Sequence, residues 1–295
     1  MRSTGKHQTT AAATGKKQPQ QMDCSKSKEL KKTQPSTFAN TLVSQVQGQH
    51  APVAAARSSE GGAGDGLAKC GKDRLVSLRF QNISLLHGDV KLLQEPNCGM
   101  NERLVAFYFA YLQHRRFKRQ SQVYFMQPSL MQSLRQLSQR AMRREMCQRG
   151  LHETKFILLP LCAAPGSFNV DHEHWSLLLI ARPERKLYYY DSMDNSHKQL
   201  AVALQQCLCM PLALTGFSLV VGRCLQQAHD EPHQSGIHLM CMADHVADYV
   251  LRCGYASSSL LIARDYVQGM RTVVLQHIQC MGGILPKKKR SSSEL

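Results

Sequence analysis

Acidic residues are scarce in this chain of 295: Asp and Glu total 21 against 37 Lys and Arg, for a net charge of +16. That imbalance suits acidic partners, whether nucleic acid or an acidic protein face, and carries no information about fold. Apolar runs long enough to span a bilayer are missing, and the first residues lack the apolar core of a secretory signal. A soluble intracellular protein, nuclear or cytoplasmic and without a membrane partner, is therefore expected. Cys-x-x-Cys pairs are missing too. The 11 cysteines, odd in number and irregularly spaced, read as reduced thiols rather than a disulfide framework or a zinc ribbon.

What is present divides into three. Residues 1–72 are Gln, Ser, Thr, Ala, Gly and Lys with scattered Pro and no apolar periodicity. Such a segment cannot bury enough surface to offset its ordering entropy, so a disordered basic arm is expected. A folded domain is expected over 73–281 and a disordered basic tail over 282–295. Inside the domain, Leu75–Phe80 reads as a strand, and Leu85–Val90 as a turn running into a short apolar stretch. Asn101 reads as the cap of a helix bearing Leu104, Val105, Phe107, Tyr108 and Tyr111. After a strand at Val123–Met126, Pro128 opens a helix with Leu130, Leu134, Leu137 and Ala141 at helical spacing. Arg135, Arg140, Arg143, Arg144 and Arg149 decorate it, an ordinarily solvated face that also suits an acidic partner. Phe156–Leu161 fits a central strand. A helix over 197–210, a strand over 217–221, a helix from Ser235 and a last helix over 266–280 complete the reading.

Between them lie His174-Trp175-Ser176-Leu177-Leu178-Leu179-Ile180 and Leu187-Tyr188-Tyr189-Tyr190-Asp191, two strands of a hairpin. With the chain reversing at Arg182-Pro183, His174 falls opposite Asp191, where Cβ atoms about 5 Å apart permit a hydrogen bond. Two readings stay open: a polar pair on a sheet edge, or a general base whose tautomer and charge a carboxylate fixes. Ser235-Gly236 stands at a loop-to-helix junction, where the helix dipole favours developing negative charge. Serine is equally a common helix cap. His172 and His174, with Cys207 and Cys209, raise the question of zinc, but the sequence places no third ligand beside the histidines, so no metal is expected.

Taken together, several segments resemble the Ulp/SENP family of ubiquitin-like-protein proteases, nearest its deneddylase branch, over roughly Arg74 to Met281. They are Asp89-Val90-Lys91-Leu92-Leu93, Val123-Tyr124-Phe125 before Pro128, His174-Trp175-Ser176-Leu177-Leu178, Asp191-Ser192, and Gly236 opening a helix that contains Cys241. The resemblance implies an α+β, papain-like cysteine-protease fold, a central mixed sheet flanked by helices, that needs no cofactor and cleaves after the Gly-Gly tail of a modifier. It makes His174 the base, Asp191 its orienter, Ser235 the occupant of the nucleophile position and Trp175 one wall of the tunnel for that tail.

Three positions depart from the family. Its nucleophile is the cysteine of Asp-Cys-Gly, where this chain reads Gln234-Ser235-Gly236. His229 stands where the family has its oxyanion glutamine, leaving Gln227, two residues upstream, as the candidate donor. Gly99 replaces the tryptophan of the other tunnel wall. A serine hydroxyl does not ionise at neutral pH, so the preformed thiolate is lost. A missing oxyanion donor costs about 3 kcal/mol of barrier, and a missing wall loosens the attack geometry.

The chain is accordingly expected to bind a ubiquitin-like modifier, of the neddylation type before SUMO, with impaired or lost isopeptidase activity. The alternatives are a residual hydrolase using Ser235, His174 and Asp191, or a basic nuclear module for nucleic acid or an acidic protein. Cys241 reads as a packing thiol, and Cys224 has no positional claim. Lys287, Lys288, Lys289 and Arg290 after Pro286 resemble a nuclear-import signal and imply an import receptor.

Overall fold

The computed structural model describes residues 73–162, 174–193, 195–228 and 232–286. The expected arm over 1–72, the His172-Glu173 pair, His229 and the run Lys287–Arg290 lie outside the described residues.

Five strands form one mixed sheet: β3 (Val123–Phe125), β4 (Phe156–Cys162), β5 (Trp175–Ala181), β6 (Lys186–Tyr190) and β7 (Ser218–Val221), in that spatial order. Strands β4, β5 and β6 run antiparallel to their neighbours among themselves, and the two outer strands pair parallel. A separate hairpin, β1 (Val76–Phe80) and β2 (Ile83–Leu86), precedes them. The helices are α1 (His87–Gln94), α2 (Glu102–Tyr111), α3 (Pro128–Gln136), α4 (Gln139–Gln148), α5 (Lys198–Cys209), α6 (Ser235–Cys253) and α7 (Arg264–Cys280). The α+β class with a mixed central sheet is the one expected. None of the described helices is long and apolar enough to cross a membrane.

Strand periodicity sorts the sheet into two layers. Phe156 and Leu158 of β4, with Trp175, Leu177 and Leu179 of β5, join the core of α2, α6 and α7. Their alternates Ile157, Leu159, Leu178 and Ile180 join the core of α3, α4 and α5. Both strands are buried throughout, and each such Leu or Ile stabilises the fold by roughly 1.5–3 kcal/mol. Pro160 is tolerated in this central strand for a geometric reason. The Leu158 carbonyl accepts from Met126 N, so the Pro160 nitrogen faces the same flank two residues on, beyond the last β3–β4 pair at Phe125 and Leu158.

Four expectations need correction. Leu85–Val90 is the end of a strand and the start of a helix, not a turn. The Asp89 carboxylate accepts Leu86 N–H at 2.8 Å and so satisfies a donor at the N-terminus of α1. The helix from Pro128 is two helices. Leu137 is extended, and the Ser138 hydroxyl accepts Ala141 N–H at 3.3 Å to cap α4. Leu137 is consequently 39% exposed rather than inward. The tail does not leave the domain at residue 282, because Ile284 N–H donates to the Ser77 carbonyl at 3.0 Å and Gln94 holds the Pro286 carbonyl at 3.1 Å.

The fourth concerns the hairpin. Ala181 pairs with Lys186 and Leu177 with Tyr190, a register two residues from the one that sets His174 opposite Asp191. The chain reverses over Arg182–Arg185, closed by Arg185 N–H on the Arg182 carbonyl at 3.1 Å, with Arg185 at φ 53°. The Arg182 guanidinium anchors the turn by donating to the carbonyls of Leu151, Thr154 and Leu212.

Candidate active site

His174 lies one residue before β5 and Asp191 one residue after β6. Antiparallel pairing brings these two strand ends to the same edge of the sheet, so the pair meets despite the register. His174 Nε2 stands 2.7 Å from Asp191 Oδ1. The His174 side chain is 14% exposed and the Asp191 side chain wholly buried.

Asp191 is held from every side. Its Oδ1 also accepts Met193 N–H at 2.9 Å, and its Oδ2 accepts the Tyr189 hydroxyl, the Ser196 hydroxyl at 3.4 Å and His197 N–H at 3.5 Å. Its backbone carbonyl accepts Gln226 Nε2 at 3.0 Å and the Cys224 thiol at 3.1 Å. Burial by itself would raise the carboxyl pKa, but the His174 bond and charge, with the Tyr189 and Met193 donors, hold it below the ordinary carboxylate value. An ionised Asp191 keeps the proton of a neutral His174 on Nε2 and leaves Nδ1 as the acceptor. The His174 ring also packs on His197, centroids 4.7 Å apart, and His197 Nδ1 lies 3.1 Å from the Ser176 hydroxyl.

Ser235 opens α6, preceded by a short 3-10 turn over Pro232–Gln234. It is fully buried. Its Oγ accepts Trp175 N–H at 3.2 Å, a bond that joins the first turn of α6 to the first residue of β5. Gly236 then lets the helix approach closely. A Cβ at this position would lie 2.5 Å from Met100 Cβ. The indole of Trp175, 1% exposed, donates Nε1–H to the Met100 carbonyl at 2.8 Å.

Gly99 is buried beside Met100, and two clamps hold this segment. Asp89 accepts Asn101 Nδ2 at 2.6 Å and both Arg103 donors at 2.8 Å, while Asn101 caps α2. Arg271 of α7 donates to the carbonyls of Leu92, Glu95 and Cys98.

The three residues expected to do chemistry are thus gathered at one place. His174 bonds Asp191 directly, and Ser235 bonds the neighbour of His174. His174 Nδ1, however, is buried with no hydrogen-bond partner among the described residues. Gln227 is tied to the Asp191 side of the site: its Oε1 accepts the Ser192 hydroxyl at 3.1 Å, and its backbone N–H donates to the Ser192 carbonyl at 3.0 Å. Cys224 and Cys241 are poor thiolates, since burial pushes Cys224 up to about 12 and raises Cys241 further.

Sequence reasoning missed Tyr189, His197 and Gln226 as supports of Asp191. Only Tyr189 carried a signal, because residues two apart on a strand share a face.

Over residues 99–247, about half of the chain, the sequence matches the family described as Ulp1 protease family, C-terminal catalytic domain. Among solved structures, it is similar to the C-terminal Ulp1 protease domain in complex with Smt3, the yeast ortholog of SUMO. That match has 17% identity and a TM-score of 0.55, covering 86% of this chain and 99% of that one. The SUMO protease Ulp1 with its catalytic cysteine oxidised to a sulfenic acid is similar at 15% identity and a TM-score of 0.54, with the same coverage. At such identities these likenesses establish the fold, which is that of Ulp1. No curated protein matches the chain.

Proposed function

The chain belongs to the Ulp1 protease family, and from that premise we propose that it holds the tail of a ubiquitin-like modifier without efficiently cleaving it. The observation that carries this reading is the division of partners around Ser235. Its Oγ accepts the Trp175 amide at 3.2 Å, while the imidazole nitrogen that would take its proton has no hydrogen-bond partner among the described residues. A base takes a hydroxyl proton across about 2.6–3.2 Å or through one water, and unlike a thiol the hydroxyl has no ionised population at neutral pH to fall back on. Gln227 directs its Nε2 donor to Met193 Sδ at 3.8 Å, with its Oε1 held by the Ser192 hydroxyl, which weakens its candidacy as an oxyanion donor, whose loss costs about a hundredfold in rate or more.

That a Ulp1 domain has been seen with Smt3 bound supports a modifier as the partner here. A modifier of the neddylation type is preferred over SUMO because the sequence motifs lie nearest the deneddylase branch. Trp175 and Gly99 would flank its Gly-Gly tail, and Lys287–Arg290 would carry the chain to the nucleus through an import receptor.

A second reading keeps activity, favoured by the intact His174–Asp191 bond at 2.7 Å: a slow serine hydrolase. Fusions and tail-directed probes of the neddylation modifier, SUMO and ubiquitin separate the two. Binding without turnover, and turnover appearing with Ser235→Cys, is the expected result. Robust turnover by the unaltered chain that Ser235→Ala abolishes would overturn the pseudo-protease reading in favour of the hydrolase.

A further inference from the structure

Helix α4 turns Met142 and Met146 into the core of the layer opposite α6. Its outward side is arginine: Arg140, Arg143 and Arg144 are all exposed, and spacings of three and four residues set them on one face. Glu145, the only acidic residue of α4, is already taken by Arg149 at 2.7 Å. Among the described residues, Arg140, Arg143 and Arg144 take part in no ion pair. Among the described residues, three cations thus stand within little more than one turn of helix without an ion-pair partner, a repulsion that an anionic partner would relieve.

Apolar side chains border the same helix. Leu137 precedes the α4 cap at 39% exposure, and Met210 ends α5 at 69%. Gln139 Nε2 donates to the Cys207 carbonyl at 3.2 Å, which seats the start of α4 against the last turn of α5.

We propose that this face, on the other side of the sheet from Ser235, docks an acidic peptide segment studded with apolar residues, supplied by a partner protein. Carboxylates at helical spacing match the arginine forks, whose planar geometry suits bidentate pairing. Phosphate would satisfy the arginines equally, so the neighbouring apolar groups decide between ligands. A phosphodiester backbone leaves Leu137 and Met210 wet, whereas leucine or phenylalanine on a peptide covers them, and arginine beside buried apolar contact is the usual composition of a protein interface centre. The surface is independent of the modifier reading and leaves the tail site open.

The test uses the full chain and two fluorescent probes: a short synthetic peptide with glutamates at i, i+3 and i+4 around two leucines, and a short DNA duplex. Anisotropy is read for the unaltered chain, for the combined Arg140→Glu, Arg143→Glu and Arg144→Glu variant, and for Leu137→Ser with Met210→Ser. The peptide should bind, lose about tenfold or more in affinity on charge reversal, and weaken several-fold in the Leu137/Met210 variant. DNA binding through the basic segments elsewhere should be insensitive to Leu137 and Met210. Unchanged melting temperatures certify the variants as folded. Absence of peptide binding, or peptide binding indifferent to either variant, overturns the proposal. DNA binding that charge reversal abolishes, with the peptide indifferent to Leu137 and Met210, assigns the face to nucleic acid instead.

Discussion

The Tyr189 hydroxyl donates to the Asp191 carboxylate from two residues away on the same chain segment, and accepts the His197 backbone N–H at 3.0 Å. One phenol therefore fixes both the carboxylate and the loop that closes over it. Tyr189→Phe removes that link inside a buried site, and a destabilisation of about 1–3 kcal/mol is expected from denaturant unfolding. An unchanged midpoint would show that Asp191 is held well enough by its other donors.

Gly236→Ala tests the close approach of α6. Alanine is favoured over glycine within a helix by about 1 kcal/mol, so a permissive site would gain stability. Here the added carbon would sit 2.5 Å from Met100 Cβ, and overpacking of this kind costs roughly 1–3 kcal/mol or more. A lowered melting temperature is expected, with a raised one refuting the packing.

Asp89→Ala should cost about 2–4 kcal/mol, because it removes the acceptor for Leu86, Asn101 and Arg103 together. Arg103 is half-exposed and recovers water, which keeps the loss below that of a fully buried pair. Trp175 is the chain's single tryptophan and bonds the carbonyl of Met100, next to Asn101. Its fluorescence should shift to longer wavelength in the variant. An unaltered spectrum would mean that the clamp does not position the site.

Acid should destabilise the domain through His238, one turn into α6. Burial pushes its imidazole down from 6.5 to about 4, with the Leu225 backbone bond opposing and the Arg264 charge adding to the fall. A pKa lower in the folded state means that the unfolded chain binds the extra proton. The contribution is therefore complete above about 6.5 and lost as pH drops toward 4, amounting to roughly 3 kcal/mol. His245 and His277, also lowered by burial, act in the same direction, whereas Asp244, raised by burial, opposes them at the acid end. The comparison with His238→Gln isolates the effect: its unfolding free energy should vary less between pH 6.5 and 4, and parallel curves would reject the assignment.

Much of the sheet was legible because β4, β5 and β6 are runs of apolar residues with one possible role. Asn101 as the cap of α2 was legible because a side-chain oxygen before a helix has a local target, Leu104 N–H. The hairpin register was not. It is set by Arg182, whose three carbonyl partners lie at Leu151, Thr154 and Leu212, distant in sequence and without a local signature. Ser138 ended the helix from Pro128 inside an unbroken apolar spacing, since one capping hydroxyl can outweigh a periodicity that either arrangement satisfies. At the site, His174, Asp191 and Ser235 could be named from motifs. Their supports could not, because Gln226, Cys224 and His197 converge on Asp191 only through the fold.

Alternation along β5 has a last consequence. Tyr189 holds Asp191, and Ser176 bonds the His197 that packs on His174, from the layer of α3 to α5, while Trp175, itself bonded to the Met100 carbonyl, holds Ser235 from the layer of α2 and α6. The two halves of the candidate site thus hang from opposite faces of one sheet. A change at the head of α6 and a change at Tyr189 therefore load opposite faces of the sheet, joined through the adjacent residues His174 and Trp175.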